Sequence, residues 1–271
     1  MEKMADRFLS KTSRQNWMTH KFSFLKQHFS IFEGLTLLSI LIGASFLRLY
    51  RISDYMTFLG DEGRDAIVAR EILQGHFTLL GPRASAGDFF LGPIYYYMIA
   101  PFLFLTNYDP VGPAIMVALF GVGTVFLVYF VGKKFFGTKA GLIAAALYAV
   151  SPIVIAYSRS SWNPNLMPFF SLLILYLIYL SVKNKSIKLF IAVGFLLGVA
   201  IQLHYLTTFL GVIVSFFVLI GEWMNGKKNF IKTTFGRYMF LFLGFIVGFL
   251  PFLAFELRHG FPNIQTIVKF I

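Results

Sequence analysis

Gly92-Pro93-Ile94-Tyr95-Tyr96-Tyr97-Met98-Ile99-Ala100-Pro101-Phe102-Leu103-Phe104-Leu105 is the stretch on which the topology of this 271-residue chain turns. It is apolar, but it is short and carries two prolines, whereas a membrane span needs about 20 apolar residues. Parity decides how to read it. If it does not cross, the clusters Lys133, Lys134, Lys139, then Lys183, Lys185, Lys188, then Lys227, Lys228, Lys232, Arg237 all share one side with the basic N-terminal segment. If it crosses, every later cluster moves to the opposite side, against the bias of Lys and Arg toward the cytoplasm. The run therefore reads as an interfacial or re-entrant helix, with Tyr95, Tyr96 and Tyr97 as an aromatic belt.

Working outward, seven stretches are long enough to span: 31–49, 111–132, 140–157, 165–182, 188–205, 207–224 and 238–256. The expected fold is an all-α polytopic transmembrane helix bundle of about seven spans, with interfacial helices in a large first outer loop. Composition agrees: 57% of residues are apolar, 13% are charged, and there is no cysteine for a disulfide or thiolate site. The net charge of +12 sits in short clusters between apolar runs, with no Arg-rich stripe or zinc pattern, which argues against nucleic acid as a partner. Residues 1–30 read as a cytoplasmic basic tail, with Trp17, Phe22, Phe24 and Phe29 suggesting an interfacial helix. Residues 31–271 read as one membrane domain. Gly194-Phe195-Leu196-Leu197-Gly198 and Gly244-Phe245-Ile246-Val247-Gly248 carry the small-residue spacing of close helix packing in lipid.

The segment 50–110 holds seven of the twelve acidic residues: Asp54, Asp61, Glu62, Asp65, Glu71, Asp88 and Asp109. Its centre is Phe58-Leu59-Gly60-Asp61-Glu62-Gly63-Arg64-Asp65. Gly60 and Gly63 are expected to let the backbone turn and approach a ligand. Ala66, Ala69, Ile72 and Leu73 then follow at helical spacing, and Gly75 suits a C-terminal stop. Asp61 is open to two readings: an N-cap with Glu62 as a first-turn acid, or a pair of reacting carboxylates. The turn Ser158–Pro164, the turn at His204 and Arg258-His259-Gly260 fall on the same expected outer face.

Those residues in that order resemble the polytopic C-type glycosyltransferases, above all the protein O-mannosyltransferase-like group that includes the lipid A aminoarabinose transferases. The likeness lies in Gly60-Asp61-Glu62-Gly63-Arg64, Ala69-Arg70-Glu71-Ile72-Leu73, Gly92-Pro93-Ile94-Tyr95-Tyr96, Tyr157-Ser158-Arg159 and Trp162-Asn163-Pro164-Asn165. It covers the chain from about residue 31 onward. It implies an inverting enzyme that moves a sugar from a polyprenyl-phosphate donor to a lipid or protein acceptor on the extracytoplasmic side. Asp61 would be the catalytic base beside Glu62. Arg64 is the best candidate for the donor phosphate, with Arg83, Arg159 and His204 behind it. Trp162 and Asn163 mark the second outer turn and acceptor side. A base is needed to take the proton of the attacking hydroxyl, and cations must steady the departing phosphate. The aminoarabinose enzymes carry Glu-Lys where Leu91 and Gly92 stand here, and Asp where Asn163 stands, which favours a generic hexose transferase. No cofactor is implied; a divalent cation held by Asp61 and Glu62 stays open and unassigned.

The expected location is an integral protein of a bacterial or archaeal plasma membrane, N-terminus cytoplasmic. The chain stops at Lys269-Phe270-Ile271 without a polar tail, as the N-terminal half of a longer enzyme would. The competing readings are a transporter or flippase of lipid-linked sugar and a non-catalytic membrane subunit. A transporter places ionisable groups at mid-membrane on broken helices. Here the mid-span positions are almost free of charge.

Overall fold

The computed structural model describes residues 31–84, 87–224, 226 and 229–270. The basic tail 1–30 and the lysines 227 and 228 lie outside the described residues. The chain divides into two compact units, Met1–Ile40 and Leu41–Ile271. Of the first, the described part is the beginning of one helix, whose Ile31 and Phe32 are exposed. All further structure belongs to the second unit.

The described residues are helical almost throughout. In chain order the helices are α1 Ile31–Leu49, α2 Ile52–Tyr55, α3 Gly60–Leu73, α4 Ile94–Leu105, α5 Val111–Phe136 and α6 Thr138–Val150. Then come α7 Pro152–Tyr157, a 3-10 turn Asn163–Leu166, α8 Met167–Asn184, α9 Ile187–Leu203, α10 Thr207–Met224, α11 Phe230–His259 and α12 Pro262–Phe270. Five segments are long and apolar enough to cross a membrane: α1, α5, the 3-10 turn with α8, α10 and α11. The protein is an all-α polytopic membrane bundle.

Two expected spans are shorter than the sequence suggests. α9 has 17 residues. The stretch 140–157 is broken at Ser151 into α6, of 13 residues, and α7, of six. The cause is Pro152, which disfavours the helical region for the residue before it; Ser151 is extended, at φ −62° and ψ 118°. Pro152 also has no N–H to offer the Tyr148 carbonyl. Arg48 takes its place. Fully buried at the end of α1, it donates from Nη2 to Tyr148 O (3.4 Å), from Nη1 to Ala149 O (3.0 Å) and from Nε to Ser158 Oγ (3.3 Å). A guanidinium is tolerated there because a broken helix end presents carbonyls with partial negative charge.

α4 has 12 residues, or about 18 Å at 1.5 Å per residue, too short to cross. Its Tyr95, Tyr96, Ile99 and Leu103 are buried in the main core with Ala69 and Ile72 of α3. The run that decides topology is thus a buried short helix, and its tyrosines face protein more than headgroups.

The closest helix pair is α9 with α11. A Cβ on Gly194 would collide with the Leu241 carbonyl, one on Gly244 with Ile191 O, and one on Gly248 with Phe195 O. Ile191 opposite Gly244 and Phe195 opposite Gly248 define a parallel register in which backbone meets backbone. Small residues permit that approach, and dispersion rather than hydrophobic transfer rewards it in lipid. Gln202 locks the same pair, donating from Nε2 to Gly198 O (3.0 Å) and Gly248 O (2.7 Å).

Candidate active site

Four segments distant in sequence meet at one end of the bundle. The first is the start of α3. Its N-cap is Leu59, so Asp61 is the second helical residue and not the cap. Gly60 and Gly63 both lie inside the helix without positive φ, so the expected sharp turn at them does not occur. A Cβ at Gly60 would meet open space. The helix ends as the sequence suggests: Gly75 has φ 95°, its N–H reaches Ile72 O (3.0 Å), and His76 N–H reaches Glu71 O (3.0 Å).

The second segment is a narrow hairpin. Gly81 N–H donates to Leu91 O (2.8 Å), Leu91 N–H to Pro82 O (2.8 Å), and Ala84 N–H to Phe89 O (2.9 Å). Its outer arm is fastened from α11 and α12. Phe90 N–H donates to Asn263 Oδ1 (2.8 Å), and Asn263 Nδ2 donates to Glu256 Oε1 (2.7 Å). Glu256 is fully buried and also accepts the backbone N–H groups of Asn263 and Ile264, capping α12. A buried carboxylate with three donors is a structural group, and its donors come from α12 rather than from Arg258.

The third segment is the turn between α7 and α8, and the fourth is the turn at His204. Together these bring Asp61, Arg64, Pro82, Arg83, Ala84, Leu91, Trp162, Asn163, Pro164, His204 and Tyr205 around one narrow, nearly closed cleft whose free volume is about 20 Å³. Six of the eight sequence-selected residues line it: Asp61, Arg64, Arg83, Trp162, Asn163 and His204. Glu62 and Arg159 do not. Glu62 is buried behind the cleft, accepting from Ser160 Oγ (2.9 Å) and Leu59 N–H (3.0 Å). It ties the α3 start to the α7–α8 turn. Arg159 donates to Leu47 O and lies over the Tyr55 ring, 5.1 Å from its centroid. With both Glu62 oxygens engaged, the Asp61–Glu62 pair does not form a chelate, and among the described residues no group of three or more His, Asp or Glu clusters as a metal site.

Within the cleft the charges are arrayed in a row. Arg64 Nη1 donates to Asp61 Oδ1 (2.9 Å), while its Nε (2.9 Å) and Nη2 (2.7 Å) both donate to Asp65 Oδ1. The Asp61 side chain is 54% exposed, that of Arg64 38%, and that of Asp65 1%. Burial lifts the Asp65 carboxyl from 3.8 to about 6 against the downward pull of Arg64. Since this folded value exceeds the unfolded one, near 3.9, the stability it contributes is fullest at low pH and falls as pH rises toward 6. Arg83 pairs with exposed Asp88. Asn163 is turned inward, its amide donating to Leu203 O. His204 stacks on Tyr205 with centroids 4.7 Å apart, and its Nδ1 accepts from Leu206 N–H (3.3 Å). Burial lowers its pKa, so near pH 7 it is a neutral ring carrying its proton on Nε2 and not a cation.

Sequence reasoning missed Asp65, Tyr205 and Arg48. Asp65 was legible as the residue four after Asp61, on the same helix face. Tyr205 and Arg48 gave no local signal, since both matter through partners far along the chain.

A family described as dolichyl-phosphate-mannose-protein mannosyltransferase matches residues 91–255, more than half of the chain. Two Bacillus subtilis (strain 168) proteins are similar over part of it. "Putative mannosyltransferase YkcB" is 31% identical over 117 residues, which is 42% of this chain and 16% of that protein. "Putative mannosyltransferase YycA" is 33% identical over 114 residues, 41% of this chain and 16% of that protein. The aligned stretch is therefore a small part of either relative's length.

Proposed function

The chain belongs to the dolichyl-phosphate-mannose-protein mannosyltransferase family, and from that premise we propose that its cleft transfers a hexose, mannose first among them, from a polyprenyl-phosphate carrier to a hydroxyl acceptor. The observation that carries this is Asp61 and Arg64 side by side at 2.9 Å, at the accessible rim of a cleft that also holds Arg83 and His204. The acceptor oxygen attacks the anomeric carbon and its proton passes to Asp61. The carbon–oxygen bond to phosphate breaks, and the electron pair leaves with the phosphate oxygen. Nη1 of Arg64 exchanges Asp61 for that phosphate as its hydrogen-bond partner. An exposed ion pair is worth only about 0–1 kcal/mol, so this exchange is easy and also frees Asp61 to accept the proton. A lipid phosphate leaves as an anion, so no strong general acid is required. The chain in liposomes should convert a β-linked polyprenyl-phosphate hexose into an α-linked product, read by NMR of the anomeric proton. Retention of configuration would refute direct displacement.

Arg64→Ala should raise the KM for the donor about 10–100-fold, the range of one or two charge-assisted hydrogen bonds. Arg64→Lys should recover only part, since an ammonium lacks the planar fork. Unchanged donor dependence in both variants would remove Arg64 from the site.

The cleft is assigned to the extracytoplasmic face, and the lysine-rich ends, with the basic tail, to the cytoplasm. Lys133 and Lys134 at the end of α5 and Lys183 at the end of α8 support this, because all lie at the far ends of helices that begin near the cleft. On intact cells an impermeant thiol reagent should label His76→Cys and spare Asn184→Cys, both at exposed positions. Labelling of Asn184→Cys alone would invert the assignment.

A further inference from the structure

We propose that Asp65 is the positioning residue of the cleft: it grips one edge of the Arg64 guanidinium so that the opposite edge is held out toward Asp61 and the donor phosphate. This rests on the transfer reading above for its consequence, but its geometry is independent of it. A single oxygen, Oδ1, receives both Nε and Nη2 of Arg64, at 2.9 and 2.7 Å. Those two donors face inward, and Nη1 alone reaches the exposed Asp61. The other Asp65 oxygen, Oδ2, is buried without a hydrogen-bond partner. Such a group is costly to keep, because a buried, half-satisfied carboxylate loses its hydration without full replacement. An asparagine or serine at this place would close the core at lower cost. What only an anion supplies is a fixed counter-charge that holds an otherwise flexible guanidinium in one orientation.

The groups facing Asp65 are Arg64, Asp61 and Glu62 from its own helix and the hydroxyls of Tyr95 and Tyr96 from α4. Arg64 is the one cation among them. Protonation of Asp65 therefore releases the grip, and with a value of about 6 this falls within reach of ordinary assay conditions. Donor binding should be strong above about pH 6 and weaken below it.

The test is a double-mutant cycle on the whole chain in nanodiscs, with a short-chain polyprenyl phosphate as the probe and calorimetric titration as the readout. Asp65→Asn should weaken binding about tenfold at pH 7.5 and abolish the weakening below pH 6. In the Arg64→Ala background Asp65→Asn should add nothing, because the residue acts through Arg64. Thermal melting run alongside should show Asp65→Asn folded and no less stable at pH 7.5. Full additivity with Arg64→Ala, or an unchanged pH profile, would overturn the proposal. The transfer reading fails separately: sugar transfer would be absent in the parent, while the binding cycle kept its coupling.

Discussion

Asp61→Asn is expected to slow sugar transfer about 10²–10⁴-fold, equivalent to roughly 3–5 kcal/mol in the barrier, with the donor KM little changed. Asparagine keeps the shape but cannot take the proton. The helix cap does not blur the result, because Leu59 and not Asp61 occupies that position. The lost partner is an exposed ion pair to Arg64, so melting should move by less than about 1 kcal/mol equivalent. Glu62→Gln should give the opposite signature. Glu62 is buried between Ser160 and the Leu59 N–H, so its replacement should lower stability by about 1–3 kcal/mol and reduce the rate far less. The measurement is transfer of labelled hexose from its polyprenyl phosphate, with melting of each variant in the same detergent. Near-parental transfer by Asp61→Asn would end its assignment as the base and bring forward the transporter and non-catalytic readings.

Gly244→Leu should abolish the folded protein. The ideal Cβ of Gly244 would overlap the Ile191 carbonyl, which is backbone and cannot rotate away. Overpacking by single methylenes already costs about 1–3 kcal/mol, and here two helix backbones must separate along their whole contact. Against a total stability of about 5–15 kcal/mol that is a loss the bundle does not absorb. Gly194→Leu, opposite the Leu241 carbonyl, should behave alike. Gly211→Leu is the control, since a Cβ there meets nothing within 4 Å. Size-exclusion profiles of fluorescent fusions should show a sharp peak for Gly211→Leu and aggregate for the other two. A sharp peak with parental melting for Gly244→Leu would show that the pair can part without consequence.

The sequence alone determined the properties that are carried by short windows. Apolar length marked the spans, the lysine clusters and the length of Gly92–Leu105 argued that this run does not cross, and two Gly-x-x-x-Gly patterns marked two helices as closely packed, though not that they pack on each other. Gly75 ended α3 as its neighbours required. Each is a local matter of hydration, dipole or steric size, so residues within one or two turns suffice. Even locally, competing rules were hard to rank: Pro152 broke a stretch whose hydropathy favoured one continuous span.

Only the tertiary structure decided what each polar side chain does. Asp61 and Glu62 are neighbours in sequence and alike in charge, yet 100° of helical rotation sends one to the cleft and the other into the Ser160 turn. Arg159, a candidate behind Arg64 for the donor phosphate, instead reaches to the end of α1. Arg48 carried no local signal and is the cap of a helix 100 residues away. These outcomes depend on which surfaces face each other once α9 and α11 have closed and the hairpin is fastened to Asn263. No window of sequence contains that information, because the partners of a buried charge are chosen by packing, and packing is set by the whole bundle at once.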